Sequence, residues 1–330
     1  MTVTSFAVAY QEGVLGTPAR SPISAASEVA PVPPVMQLIG HQGPVIAVAS
    51  TEEDGWIVSA GADATVRLWN GSSGAPVRTI ELSEGPVTAL AVDQRRALVG
   101  HHGGVIVLWD LERGERLETL RHGSEPITSV AFLGEDILAA SQDGRVALFE
   151  VGTLSAPAAL LDGQEGGGPL IAAAHARSLF VSTGFDGTVR VWKAPGPRLA
   201  RTYRHLTDDI TAIDISPDAS FVAGGSSDGV VRVWPNPALR LRLPSVEVFK
   251  AHEGRVTAVA LGAPSALATA GSDGSIKIGS LRPVRVMRSL EGGPVRTLSF
   301  SRDGRRLFAG GEDGVIRVWS VPSQPTVGAI

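Results

Sequence analysis

The sequence predicts an all-β chain of seven four-stranded antiparallel sheets closed into a ring. Three observations carry that expectation. An Asp-Gly turn followed by an alternating strand recurs at Asp186-Gly187 before Trp192, at Asp228-Gly229 before Trp234 and at Asp313-Gly314 before Trp319. The corresponding strand ends fall at Trp69, Trp109, Phe149, Trp192, Trp234, Gly279 and Trp319. Their spacing, about 40 to 45 residues, is the period of a propeller blade. The runs between them are strand-length with no helical segment, which excludes βαβ units.

Composition narrows the class. The 330 residues include 39 glycines and only 5% aromatics, which suits short strands joined by tight turns. A net charge of -4 argues against nucleic acid as the main partner. There is no cysteine, so disulfides, thiolate metal sites and cysteine nucleophiles are all excluded. The first ten residues have no basic segment before their short apolar patch, and no run is long enough to span a bilayer. The expectation is a cytoplasmic protein without a membrane span.

Taken in order, residues 1–34 form a Pro/Ala/Ser-rich arm ending Pro31-Val32-Pro33-Pro34, read as a plain tail or else a peptide that packs on the domain or a partner. The repeat occupies residues 35–320. Each unit begins with a strand such as 45–49, followed by turn residues such as Ser216-Pro217-Asp218. A small apolar second strand comes next, as at 221–224. The Asp-Gly turn and third strand follow, and a more polar fourth strand such as 76–80 closes the unit. One such sheet cannot bury both its faces, so the units must stack around an axis. Closing the ring also removes exposed edges. The last unit lacks its fourth strand, while an orphan strand at 35–39 precedes the first unit. That orphan is expected to complete the last blade. Residues 321–330 remain as a tail.

These residues resemble the WD40-repeat family over about 35–320. Trp109-Asp110 is the family's dipeptide, and Gly40-His41 opens the first unit as the family's Gly-His does. The resemblance implies a seven-bladed propeller. It also implies a buried hydrogen-bonded set in the first blade, made of His41, Ser59, Asp63 and Trp69. The sixth unit keeps His252, Thr269 and Asp273 but has Gly279 in place of Trp. The second lacks the His and Asp and has Val99 at the hydroxyl position. His122 and His205 stand one residue further from the following strand than His41 does. Blades two and six are expected to be the weakest.

The isolated motifs favour scaffold over chemistry. Gly225-Ser226-Ser227-Asp228-Gly229 matches a nucleophile elbow, but a strand follows it where that motif needs a helix. His252-Glu253 has Val256 where a zinc-protease helix needs a second His. His101-His102 reads as a surface turn. Gly166-Gly167-Gly168 lacks the Lys-Ser/Thr ending of a phosphate cradle, and the sequon at Asn70 has no secretion signal behind it. Two arginine groups, Arg198, Arg201 and Arg204, and Arg282, Arg285 and Arg288, read as solvated outer faces. No catalytic, metal or cofactor site is expected.

The family resemblance further implies three positions per blade around the upper mouth of the channel. They are the residue before the first strand's leading apolar residue, the one just after it, and the one before the turn Asp. Blades one to four contribute prolines with His102, Gln142 and Phe185; blades five to seven contribute charge at Asp209, Arg255, Arg296 and Glu312. An aromatic beside arginines has the composition of a protein-binding hot spot. The function expected is a non-catalytic scaffold within a larger assembly, binding a protein or peptide there. The alternatives are a small-ligand or hydrolytic site at the channel mouth, or an envelope-associated propeller.

Overall fold

The computed structural model describes residues 32–321 apart from 52–54, 151–156, 162–169, 175–177, 184–186, 195, 204–208, 237–245 and 282–283. The expected arm therefore lies outside the described residues up to position 31, as does the tail from 322. Within them the chain forms seven four-stranded antiparallel sheets. In blade one the strands run Val45–Ser50, Trp56–Gly61, Thr65–Asn70 and Pro76–Glu81, paired in that order from the axis outwards. Blades two to six repeat the pattern.

The ring closes as the orphan strand predicts. Met36–Ile39 pairs antiparallel with Val315–Ser320 in the register Met36↔Val318 to Ile39↔Val315, and becomes the outer strand of blade seven. Contact with the propeller starts earlier still, at Val32. Its N–H donates to Ser289 O at 3.2 Å, and its carbonyl accepts Glu291 N–H at 3.1 Å. The same carbonyl accepts the indole N–H of Trp319 at 3.0 Å.

The aromatic strand ends explain how blades adhere. Each one packs into a core shared with the preceding blade. Trp109 is buried with Val58, Val66 and Leu68 of blade one. Phe149 is buried with Leu98, Ile106 and Leu108 of blade two. Trp69 is buried with Phe308, Ile316 and Val318 of blade seven, across the closure. The apolar faces that no single sheet could cover are covered in this way, at about 25 cal/mol per Å² of apolar surface removed from water.

Buried polar groups then demand partners. In blade one they form a chain. The Trp69 indole N–H donates to Ser59 Oγ at 2.9 Å. Ser59 Oγ lies 2.8 Å from His41 Nε2 and donates to it, and His41 Nδ1 lies 3.0 Å from Asp63 Oδ1. Every role is filled by a neutral imidazole with its proton on Nδ1. Burial favours that form by lowering the His41 pKa against the pull of Asp63. Burial acts to raise Asp63, but donors from Gln42 N–H, Thr65 and His41 outweigh it and hold the carboxyl below its usual range. Gly61 makes room for the ring: a Cβ there would stand 2.3 Å from His41 Nδ1.

Other blades solve the same problem differently. Blade six keeps His252 between Thr269 (2.9 Å) and Asp273 (3.2 Å) without an indole. In blade two the place of Gly61 is taken by His101 itself, since Val87↔His101 matches Val45↔Gly61. His101 is fully buried and Nδ1–H donates to Gly85 O at 3.0 Å, so the expectation of a surface turn holds for His102 only. Blade two thus has a buried histidine, but from the second strand. With Val99 at the hydroxyl position, Trp109 Nε1 and His101 Nε2 are both buried without a partner. Blade four restores the bond, Trp192 Nε1–H donating to Ser182 Oγ at 2.8 Å. Blade seven has Ala309 there, and Val32 O supplies the acceptor instead.

Two outcomes follow for stability. S59A strands the indole of Trp69 and Nε2 of His41, and should lower the unfolding free energy by about 2–4 kcal/mol in denaturant titrations. V99T should act in the opposite direction, giving Trp109 an acceptor. A gain of about 1 kcal/mol, on the order of 2 °C in Tm, is expected by calorimetry.

Candidate functional site

The loops at the start of the inner strands and those carrying the turn aspartates emerge on one face, here called the upper. A backbone hydrogen bond ties the two in six blades. Ala62 N–H donates to Pro44 O, His102 to Pro86, Gln142 to Pro126, Ser227 to Asp209, Ser272 to Arg255 and Glu312 to Pro294, at 2.8–3.1 Å. Each expected upper position before a first strand thus stands beside the expected position before the turn. Phe185 and Pro169, the blade-four pair, lie outside the described residues. His102, Gln142, Asp209, Arg255, Arg296 and Glu312 are all exposed. The side chains of Asp209, Arg255, Arg296 and Glu312 do not pair with one another or with any other charged side chain among the described residues.

The second upper position, just after the leading apolar residue, has a structural peculiarity that sequence reading missed. In six blades the inner strand slips register there, at Ile46, Thr88, Thr128, Thr211, Thr257 and Arg296. Blade four pairs without a slip, Leu170↔Thr183 and Ile171↔Ser182. An extra residue in an inner strand re-aims its side chain. Two of these threonines use the freedom to staple blades. Thr211 Oγ–H donates to Val256 O at 2.6 Å, and Thr257 Oγ–H to Val295 O at 2.7 Å. No periodicity signal marks a single-residue bulge, although the run of Thr at this place in blades two, three, five and six is legible once aligned.

Inside the ring the inner strands enclose a channel of about 420 Å³, lined by all seven blades. Arg296 and Asp214 are its charged lining residues. Asp214 was not among the expected site residues. The signal was available: aligned inner strands carry Ala49, Ala91, Ala131, Ala260 and Ser299 at that register. Its Oδ2 accepts Leu261 N–H of blade six at 2.7 Å, and Oδ1 accepts Ile215 N–H at 2.8 Å. Burial pushes its pKa up to about 7, and those two donors only partly oppose the shift. A second cavity of about 480 Å³ lies on the lower face between blades seven and one, with Trp56, Phe308, Arg302 and Arg306 among its walls. Among the described residues no cluster of His, Asp and Glu has the composition of a metal site. No helix among the described residues is long and apolar enough to cross a membrane.

The Asp214 shift has a sign that can be measured. A carboxyl raised from 3.8 in the unfolded chain to about 7 in the folded one is protonated in the fold while already ionised when unfolded. Its effect is absent below the unfolded value and costs stability progressively as pH rises to 7, then levels off. Asn at this position does not titrate. D214N should therefore gain on the wild type between about pH 4 and 8, by on the order of 3–4 kcal/mol, when unfolding is followed across pH.

Comparison with known proteins agrees with the geometry. The model of the WD domain, G-beta repeat, matches residues 33–70, 171–193, 197–235, 243–278 and 283–320. The unmatched interval covers blades two and three, where the His-Ser-Asp-Trp set of blade one is absent. The target of rapamycin complex subunit wat1 of Schizosaccharomyces pombe is 30% identical over 43% of this chain and 45% of its own length. Autophagy-related protein 16 of Arabidopsis thaliana is 29% identical over 60% of this chain and 32% of its own. The small ribosomal subunit protein RACK1y of Oryza sativa is 29% identical over 43% of each chain. The aligned stretches span less than half the length of each of these relatives. With five matched repeats, seven four-stranded blades and a ring closed by the N-terminal strand, the chain belongs to the WD40-repeat family.

Proposed function

We propose that this propeller is a non-catalytic scaffold that docks a protein or peptide on its upper face, as a subunit of a larger cytoplasmic assembly. The observation that carries the reading is the set of four exposed charges, Asp209, Arg255, Arg296 and Glu312, on blades five to seven, without a charged partner among the described residues. Opposite charges left unneutralised on rigid, hydrogen-bonded loops favour a partner of complementary pattern, and their main effect is on specificity and association rate. Two relatives bear names that place them in assemblies, a complex subunit and a ribosomal subunit. The bonded loop pairs described above hold these positions still, so little ordering entropy is lost on docking.

The test is affinity capture with mass spectrometry from the source cells. R255A/R296A should reduce recovery of the principal partner by about tenfold or more, the scale of one to two lost hot-spot contacts, with an unchanged Tm. An R198A/R201A control on the outer strand of blade four should capture as the wild type does. Equal capture by all three proteins would remove the upper face from the assignment.

A further inference from the structure

We propose that the N-terminal arm binds back on its own propeller, residues 28–31 adding a short fifth strand to the outer edge of blade six. This surface is distinct from the upper face and does not rest on the docking reading. Its anchor is Val32, whose N–H donates to Ser289 O at 3.2 Å and whose carbonyl accepts Glu291 N–H at 3.1 Å. These two bonds make a parallel bridge between Val32 and Leu290. Leu290 belongs to Val284–Glu291, the fourth strand of blade six. The parallel sense sets the direction of the chain before Val32, towards Arg288 along the same edge. Val32 itself packs into the core shared by blades six and seven, with Leu290 and Trp319. The segment needed is contiguous with this anchor, so almost no loop has to close for it to dock.

The edge is ready for another rung. In a ladder a residue's N–H and C=O point to the same side. Ser289 directs its carbonyl outwards to Val32, so its N–H points outwards too, to where the Ala30 carbonyl comes next. The register of blade six shifts between Arg288 and Val286, so the regular part of the edge ends there and a strand laid on it is short. The arm carries the matching pattern. Val32 directs its N–H to blade six, so positions 31 and 33 face away, and both are proline. Ala30 and Glu28 stand in phase with Val32 and keep their N–H groups. Proline is tolerated in a sheet where its missing donor faces solvent, and there it closes the new edge to further pairing. Charge agrees with this occupant. Glu28 is the acidic residue of the segment, and Arg288, next along the edge, is exposed without a charged partner among the described residues.

The experiment is amide hydrogen exchange of the full chain, followed by NMR at Ser289. The wild type should protect that N–H, although it points off the outer strand. Proline then separates a paired strand from a segment that only lies nearby. A30P puts a ring where an N–H should face blade six, and should speed exchange at Ser289 by about tenfold, the scale of one net hydrogen bond. V29P alters a position whose N–H faces away, as Pro31 and Pro33 already do, and should leave the exchange rate as in the wild type. E28R should speed exchange by up to about fivefold, and E28R/R288E should restore it. Exchange of Ser289 in the wild type at the rate of an unprotected amide would overturn the proposal, as would equal rates in A30P and V29P. Protection that grows with protein concentration, together with dimers in light scattering, would give the edge to the arm of a second copy and overturn it too.

Discussion

A four-stranded sheet has two faces, and no blade of this chain can cover its own. That constraint governs the rest of the structure. It places an aromatic at the end of most third strands, where Trp69, Trp109, Phe149, Trp192, Trp234 and Trp319 each fill the seam with the blade before. It makes blade seven borrow its fourth strand from residues 36–39, because an open seam would leave one face of blade one and one of blade seven in water. Every seam depends on its neighbours, so stability is shared around the ring.

Large aromatics bring an indole N–H into the seam, and the blades differ mainly in how they satisfy it. Ser59 and Ser182 use a hydroxyl two residues along the paired strand. Blade seven reaches outside its own sheet, to the carbonyl of Val32. Blade two leaves Trp109 unbonded, and its seam with blade one is held by apolar packing together with the hydrogen bond from Arg78 to Glu112 O. An orphaned buried donor costs about 1–3 kcal/mol, small against the apolar area each seam buries. This asymmetry is why the polar set can degenerate blade by blade while the fold persists.

Much of this was legible in the sequence. The period gave the blade count, and the missing last strand with its orphan counterpart gave the closure, because both rest on patterns spread over many residues. The set in blade one was readable because its four residues stand at family positions. His101 was not, since its burial follows from a second strand whose register only pairing reveals. The inner-strand bulges escaped for a similar reason: one extra residue leaves alternation almost unchanged. Asp214 was passed over because it sits in an otherwise apolar strand that reads as ordinary core, and only the geometry shows that its carboxyl faces a cavity and a neighbouring blade. The two upper loops of six blades are joined by a backbone hydrogen bond, and the lack of mutual pairing among their charged side chains could come only from side-chain positions.

The pairing of Met36–Ile39 with Val315–Ser320 also bears on how the chain folds. Within the propeller, the strand that seals the ring is made before the other blades and its partner after them. No contact between them can form until nearly the whole domain has left the ribosome. Until then the early strand is an unpaired edge, and the two terminal seams are exposed to other chains. Bringing such distant segments together costs on the order of 3 kcal/mol more loop entropy than a local hairpin. Six assembled blades would lower that cost by holding the ends close. A vectorial order of assembly, with sealing as the last and slowest step, is therefore written into the topology.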